Sequence, residues 1–209
     1  MELSPELISR CGSFSCEKEK DIENFFKSDF LNYKSLLLGK TYCFITDEEQ
    51  SQMVCAFTVS NSSIKLNSIP NNKRNRINRK IPHTKRHTQY PAVLIGQLAV
   101  FDKFQGLHLG SEILDFIKSW FIDPLNKTGF RFIIVDAINK PKVLDFYQKN
   151  GFDFIFSSDE EEMKYLTNTS ERTSLLKKLF YKLFSSRKQN IIFKQTRLMY
   201  FDLIILKGC

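Results

Sequence analysis

The stretch that decides the fold is residues 99–121, AVFDKFQGLHLGSEILDFIKSWF, in which an apolar run passes through a glycine-containing loop into a helical pattern. Residues 91–100, PAVLIGQLAV, are almost continuously apolar, which predicts a strand buried on both faces. From Ser111 onward, apolar side chains recur along one helical stripe until Pro124 ends the helix. The loop between them contains two glycines, a glutamine and a histidine, which is more than a tight turn needs. It is therefore a candidate binding site, formed by Gln105, Gly106, His108 and Gly110.

A loop that opens a helix in this way is suited to binding a phosphate. The first N–H groups of a helix have no partners within the helix, and the helix dipole adds partial positive charge there. Glycines let the backbone approach such a ligand closely, because they have no Cβ atom. The loop has neither the GK[ST] of a P-loop nor the G-x-G-x-x-G spacing of dinucleotide-binding folds.

The flanking segments predict strands that alternate with helices after an N-terminal hairpin, and hence a mixed α/β or α+β sheet. Asn139 is a candidate N-cap of the second of these helices. The predicted helices lie at residues 21–38, as one helix or two short ones, and at 111–123 and 139–151. The predicted strands lie at residues 41–46, 53–60, 91–100, 131–138, 152–156 and 199–206.

Composition and charge narrow the class of protein. A hydrophobic fraction of 42% with 20 phenylalanines predicts a globular core within one domain. The sequence shows no signal peptide and no apolar run of membrane-spanning length. Its five scattered cysteines disfavour both a disulfide framework and a metal site, and they suit a reducing cytoplasm.

The net charge of +8 is concentrated in two stretches, residues 71–89 and 172–197. Clustered positive charge attracts polyanions such as RNA, although a solvated basic loop explains it equally well. Residues 71–89 have no periodicity and are predicted to be a loop or a partly ordered insertion. Residues 173–188 have a basic amphipathic helical pattern, which suits an added core element, a membrane surface or a partner.

The loop resembles the signature Q/R-x-x-G-x-G/A of the GNAT N-acetyltransferase family. Gln105 fills its first position and Gly110 its last, whereas His108 stands where the middle glycine is expected. The resemblance implies that backbone amides of this loop bind the pyrophosphate of acetyl-CoA. It also implies that His108 adopts the backbone conformation of the glycine it replaces, or that the loop shifts.

A second motif, FYQKNGF at residues 146–152, is similar to the family's FYxKxGF. By this resemblance Tyr147 is the general acid that protonates the departing thiolate. Leu98, Ala99 and Val100 match the strand end that pairs with pantetheine, and Asn139 matches a pantetheine contact. The pyrophosphate positions are Gln105, Gly106, Leu107, His108, Leu109, Gly110 and Ser111.

The sequence does not identify a single residue as the general base. Gln97 stands where many members of the family have a glutamate, and an amide cannot take a proton. Deprotonation is therefore expected through ordered water, or the substrate amine has a low pKa of its own. Asp102 and Glu112 are further candidates, although each also suits a role in capping the helix or a position on its surface.

The N-terminal half, together with IGQLAV at residues 95–100, resembles the toxin-type branch of the family. That branch acetylates the α-amine of charged tRNA and is often paired with a small antitoxin. The implied protein is one cytoplasmic GNAT domain over residues 1–209, with basic insertions at about 71–89 and 157–197. Its implied sheet is mostly antiparallel with one splayed parallel strand pair.

The resemblance leaves the acceptor open. Acetyl-CoA is the expected co-substrate, and the candidate partners are tRNA, a homodimer mate and an antitoxin. The candidate RNA contacts are Arg74, Arg76 and Arg79. The alternatives are an acetyltransferase for a small or protein amine and a binding module that holds acyl-CoA without turnover.

Overall fold

The computed structural model describes residues 1–66, 69–78, 81, 88–163 and 195–208, and its strands belong to one sheet. The strands are β1 (Lys40–Ile45), β2 (Met53–Lys65), β3 (Gln89–Val100), β4 (Phe132–Ile138), β5 (Asp153–Phe154) and β6 (Thr196–Asp202). The helices are α1 (Pro5–Cys11), α2 (Lys20–Asn24), α3 (Phe30–Ser35), α4 (Asn71–Asn78), α5 (Leu109–Ile122) and α6 (Pro141–Lys149).

The sheet is mixed, with strand order β1-β2-β3-β4-β6-β5. Strands β1 and β2 are antiparallel, as are β5 and β6, whereas β3 and β4 are parallel. A parallel pair needs a crossover connection, and α5 lies in the chain between β3 and β4. The mixed α/β fold predicted from the sequence is confirmed.

The chain divides into two compact units. The first comprises Met1–Ile64, Pro91–Val135 and Phe201–Cys209, and the second comprises Lys65–Tyr90 and Asp136–Tyr200. The assignment of all 209 residues to one acetyltransferase domain stays a prediction. In the part of the chain that the structure describes, no helix is long and apolar enough to cross a membrane.

Phenylalanines of the N-terminal helices form much of the core of the first unit. The ring of Phe101, which follows β3, lies 4.3 Å from that of Phe14 and 6.2 Å from that of Phe26. Phe101 therefore ties the end of β3 into this core. The buried cluster consists of Leu3, Leu7, Cys11, Phe14, Cys16, Phe25, Phe26, Phe30, Cys43, Met53, Ala56 and Phe101.

The helix predicted at residues 21–38 is present but ends early. A π-helical turn at Phe25–Asp29 joins α2 to α3, and the helical run stops at Ser35. Leu37 takes a left-handed backbone with φ 56°, while Leu38 donates its N–H to the Tyr33 carbonyl at 2.9 Å. This hydrogen-bond pattern is a Schellman-type helix end, so backbone geometry terminates a run that apolar spacing would continue.

The prediction of a loop at residues 71–89 is wrong for Asn71–Asn78, which form α4. Ile77 is buried, and the hydroxyl of Tyr90 donates to the Asn78 side chain at 2.8 Å. These tertiary contacts stabilise a helix that has no apolar stripe of its own, which is why periodicity missed it. Residues 79–80 and 82–87 lie outside the described part of the chain.

The C-terminal strands are shorter than predicted. Strand β5 covers only Asp153–Phe154, and β6 gives way to a 3-10 helix at Leu203–Gly208. The carboxylate of Asp202 accepts the N–H of Ile204 at 3.2 Å and pairs with Arg131 at 2.7 Å, which turns the chain out of the strand. The basic amphipathic pattern at residues 173–188 lies outside the described residues.

Candidate active site

The C-terminal half of β3 extends beyond its pairing with β4. The parallel register joins Ala92–Ile95 to Phe132–Val135 and ends there, while β3 continues over residues 96–100. Leu98, Ala99 and Val100 are half-buried, so the prediction of burial on both faces is wrong for this half of the strand. A strand edge that its neighbour leaves unpaired offers N–H and C=O groups to an extended ligand that carries amides.

The loop after β3 is held by backbone hydrogen bonds to other segments of the first unit. The N–H of Phe101 donates to the Val54 carbonyl at 3.0 Å, and that of Asp102 donates to the Ser15 carbonyl at 3.0 Å. The carboxylate of Asp102 accepts the N–H of Glu17 at 2.9 Å. Residues from two distant parts of the chain, at positions 15–17 and 54, thus fix the point at which the loop begins.

Asp102 and Gln105 brace the loop from within. The Gln105 side-chain amide donates to the Asp102 carboxylate at 2.9 Å and to the Val100 carbonyl at 3.2 Å. Hydrogen bonds from the Glu17 N–H and the Ser15 hydroxyl lower the pKa of Asp102. A carboxylate that is stabilised in its charged form is a weak proton acceptor, so the structure places Asp102 in loop bracing rather than in the role of a base.

Two residues of the loop have left-handed backbones. Gly106 has φ 84°, and His108 has φ 58° with ψ 8°. His108 therefore takes a backbone conformation that favours glycine, which is one of the two alternatives that the sequence leaves open. Histidine enters this region more readily than most residues, although at a cost of about 1 kcal/mol.

His108 is the N-cap of α5, but its side chain makes no capping hydrogen bond. Its carbonyl accepts the N–H of Ser111 at 3.1 Å. Leu107 and His108 are exposed, and the first residues of the helix are half-buried. The start of this 14-residue helix thus presents backbone N–H groups and positive dipole charge at the surface, which together suit a phosphate.

Tyr147 lies in the second unit, on α6, and is 9% exposed. Its ring packs against Phe146 at 5.1 Å and Phe152 at 5.4 Å between centroids. Burial raises the pKa of Tyr147 to about 12, so its hydroxyl keeps its proton at neutral pH. Among the described residues, no side chain or backbone group hydrogen-bonds to that hydroxyl.

Asn139 does not have the N-cap role predicted for it. The N-cap of α6 is Lys140, which makes no side-chain capping bond. The Asn139 amide instead donates to the Asp159 carboxylate at 3.0 Å, and its N–H donates to the Gln195 carbonyl at 2.8 Å. Lys140 precedes Pro141, which already fills the first helical position, so Asn139 lies one residue too early to cap.

Two of the candidate RNA contacts, Arg74 and Arg76, lie on α4. Arg76 donates to the Asp153 carboxylate at 2.6 Å, and Arg74 donates to the Asn71 side chain. Lys73 reaches the Phe154 carbonyl at 3.4 Å. Arg79 lies outside the described residues. Part of this basic surface is therefore engaged in contacts within the second unit.

A buried polar network in the second unit was not predicted from the sequence. Arg197 bonds to Glu162, Asp159 and the Phe156 carbonyl, and Asp159 also accepts from Asn139. Two patterns were visible in the sequence, an acidic run at residues 159–162 and a basic stretch that ends at residue 197. Neither pattern indicates that the two segments meet, because the contact spans more than thirty residues.

No protein-family model matches the sequence, and no curated protein sequence matches it. Solved structures do match its fold. A Tyr-to-Phe mutant of KacT is 14% identical with a TM-score of 0.62, and the match covers 95% of this chain and 90% of that one. AtaTR bound with AcCoA is 15% identical with a TM-score of 0.61, and the match covers 95% and 89%.

A third match is AtaT complexed with acetyl-methionyl-tRNAfMet, which is 18% identical with a TM-score of 0.57 and covers 71% of this chain and 82% of that one. At these identities the likeness establishes the fold. The chain has the GNAT fold of the acetyltransferase toxins, as its loop and tyrosine motifs predict.

Proposed function

We propose that the chain is an N-acetyltransferase that transfers the acetyl group of acetyl-CoA directly to an amine in a ternary complex. The observation that carries this proposal is the backbone of residues 105–111. The left-handed conformations at Gly106 and His108 lead into the N-terminus of α5, where a pyrophosphate would be stabilised. Support comes from AtaTR, which has the same fold and was solved bound with AcCoA.

The residues of the first unit suit the two polar parts of acetyl-CoA. The N–H groups that follow Gly106 would bind the pyrophosphate, and a Cβ atom added at Gly106 would meet nothing within 4 Å, so the loop surface is open. The backbone of Leu98–Val100, which lies beyond the pairing of β3 with β4, would pair with the amides of pantetheine, as an added strand pairs with a sheet edge. Asn139 is proposed as a pantetheine contact on its resemblance to the family's motif.

Tyr147 is proposed as the general acid. The acceptor nitrogen attacks the thioester carbonyl, the C–S bond breaks, and the thiolate takes the proton of the Tyr147 hydroxyl. The amine loses its own proton to water, and the phenolate regains one from solvent. The Tyr147 hydroxyl carries the proton that this step needs, although burial raises its pKa to about 12 and makes it a weaker acid than an exposed tyrosine.

The proposed acceptor is the α-amine of a charged tRNA. An α-amine has a pKa near 8, well below that of lysine, so a large fraction is already neutral at physiological pH. This acceptor therefore needs no strong base. The lowered pKa of Asp102 makes that carboxylate a weak proton acceptor, which is compatible with such an acceptor. AtaT, which was solved with acetyl-methionyl-tRNAfMet, is similar in fold.

We also propose macromolecular partners for the chain. Arg74, Arg76 and Arg79 are proposed phosphate contacts for the tRNA, and a homodimer is proposed as the assembly. A small antitoxin is a further proposed partner, since an AtaT mutant toxin was solved bound to the C-terminus of the antitoxin AtaR. The proposed location is the cytoplasm.

A second candidate is an acetyltransferase for a small or protein amine. The contacts of Arg76 with Asp153 and of Lys73 with the Phe154 carbonyl favour it, because they give basic residues of α4 a structural role. If the basic surface serves only to hold α4 in place, the enzyme needs no polyanionic acceptor.

The test is transfer of labelled acetyl from acetyl-CoA to charged tRNA, with deacylated tRNA as the control. Label is expected on the charged pool alone, and Tyr147→Phe should reduce its rate by about 100-fold or more while acetyl-CoA still binds. Tyr33→Phe, at an exposed tyrosine of α3, is the matched control and should keep the wild-type rate.

Label on polyamines or protein lysines, with none on charged tRNA, would support the second candidate. Binding of acetyl-CoA without transfer to any of these amines would contradict the enzyme assignment. A full transfer rate in Tyr147→Phe would remove Tyr147 from the role of acid.

A further inference from the structure

A cavity of about 360 Å³ lies in the first unit, at the C-terminal end of α5. The loop of residues 123–131, which leads from α5 towards β4, forms one side, and residues of the 3-10 helix after β6 form the other. This volume is within the range of small-molecule sites. The length of this 14-residue helix, about 20 Å, separates the cavity from the loop proposed to bind pyrophosphate.

The loop on one side of the cavity has backbone donors that the fold does not use. The N–H of Thr128 donates to the Asn126 side chain at 3.2 Å. Among the described residues, the N–H groups of Lys127, Gly129 and Phe130 have no acceptor. Backbone N–H groups that lie close together and are left free favour an anion as their partner.

The charged side chains of the cavity also favour an anion. Of the three cations that line it, Arg131 is paired with Asp202 at 2.7 Å. Lys127 and Lys207 are exposed and form no ion pair within the described part of the chain. Asp123 is the acid of the lining, and its carboxylate accepts a backbone N–H two residues further on at 2.7 Å. The two unpaired ammonium groups therefore leave the cavity with a net positive charge.

The remaining lining is apolar and partly aromatic. The rings of Phe121 and Phe130 meet edge to face, with 5.3 Å between their centroids and 88° between their planes. Both side chains are half-buried, as is Ile204 on the other side of the cavity, so part of each is accessible. Accessible aromatic rings stack with flat heteroaromatic rings such as nucleobases.

We propose that this cavity binds a nucleotide. The base lies against Phe130, and the phosphate accepts hydrogen bonds from the free N–H groups of the loop and from the ammonium groups of Lys127 and Lys207. An anion without a ring would leave the aromatic surface unused, and a ring without an anion would leave the donors unused. A free nucleotide and a nucleotide within an RNA strand present the same chemistry. The proposal does not depend on the use of acetyl-CoA.

The experiment is a titration of the isotope-labelled full chain with 5′-AMP, followed by the NMR signals of its backbone amides. The signals of Lys127, Gly129 and Phe130 should shift together and give one dissociation constant. Adenosine and inorganic phosphate should each bind at least about ten-fold more weakly than 5′-AMP, because each engages only part of the lining.

Three variants test the contacts. Lys127→Ala combined with Lys207→Ala should weaken binding of 5′-AMP about five- to ten-fold, because the phosphate loses two charged donors. Phe130→Leu, which keeps an apolar side chain without a ring, should weaken it about five-fold. Lys40→Ala is the matched control, at an exposed lysine of β1 in the same unit, and should leave the dissociation constant unchanged.

A single-stranded RNA hexamer of adenosine distinguishes the two sources of the nucleotide. If the hexamer shifts the same amide signals and binds at least about ten-fold more tightly than 5′-AMP, the cavity takes a nucleotide of an RNA strand. If it binds no more tightly than 5′-AMP, the cavity takes a free nucleotide. Either result supports the proposed site.

Other outcomes would overturn the proposal. Shifts confined to residues 106–111 would place 5′-AMP in the loop proposed for pyrophosphate, and the proposed function would stand without this second site. No shift of the Lys127, Gly129 and Phe130 signals with either probe at millimolar concentration would also overturn it. So would an equal loss of affinity in Lys40→Ala and in the double lysine variant, because it would show a general effect of net charge.

Discussion

The candidate site residues of the two units are held in place by different kinds of interaction. In the first, the loop of residues 101–108 depends on backbone conformation and on hydrogen bonds to main-chain groups. In the second, Tyr147 and the network around Arg197 depend on buried side chains. Most side chains of the loop are exposed, whereas Tyr147, Glu162 and Arg197 are nearly inaccessible.

This difference teaches that the two regions respond to different substitutions. The loop is expected to be sensitive to substitutions that change φ and tolerant of changes in side-chain chemistry, because the groups proposed to bind phosphate are backbone N–H groups. The second unit is sensitive to the loss of a single polar atom, because a buried group left without its partner keeps the cost of desolvation. Substitutions in each region therefore test whether backbone conformation or buried side-chain contacts hold that region in place.

The largest expected effect on stability comes from Glu162→Ala in the second unit. It leaves the Arg197 guanidinium and the Leu198 N–H without their acceptor, which should cost about 3 kcal/mol or more in the free energy of unfolding. Urea denaturation measures this loss. Glu160→Ala is the control, at an exposed position of the same helical turn, and should change stability by less than about 0.5 kcal/mol. Equal effects of the two variants would mean that the network does not hold β6.

A smaller loss is expected from Gly106→Ala in the loop. The added Cβ atom meets nothing within 4 Å, so the cost of about 1–2 kcal/mol comes from φ 84° alone. Gly96→Ala is the control, because a Cβ there also meets nothing within 4 Å and its backbone is not left-handed. Urea midpoints of the two variants test this, and a Gly106→Ala protein as stable as Gly96→Ala would contradict the role given to backbone conformation.

The smallest effect, and one of opposite sign, is expected from His108→Gly. Relief of the left-handed strain at φ 58° should outweigh the greater entropy of glycine in the unfolded chain by about 0.5 kcal/mol. His108→Ala should give no such gain, since alanine tolerates this region no better. A raised melting temperature for glycine alone is the expected result, and a gain for both variants would point to the imidazole rather than the backbone.

Local sequence predicted much of this molecule. The strand before the loop, the helix α5 and the helix α6 with Tyr147 lie where their patterns place them, with ends displaced by a few residues. The glycine-like backbone of His108 was one of two alternatives that its position within the motif left open. Such features depend on neighbours within a few residues along the chain, which a single sequence displays.

Features that depend on distant residues were not predictable. Helix α4 has no apolar stripe and is held by Ile77, Tyr90 and contacts to β5, so its sequence suggested a loop. Asn139 suited an N-cap by residue type, yet Asp159 draws its side chain elsewhere. The pairing of Arg197 with Glu162 joins residues 35 positions apart, and neither local pattern indicates the other.

The order of strand, phosphate-suited loop, helix and tyrosine-bearing helix follows from the sequence alone, because hydrophobic periodicity, glycine placement and short motifs act over one or two turns. Which polar groups meet depends on the tertiary structure. It committed Asp102 and Gln105 to bracing the loop, buried Tyr147 so that its pKa rises, and brought Asp159 between Arg197 and Asn139. Burial and hydrogen-bond satisfaction are properties of packed elements, and they arise only when distant segments come together.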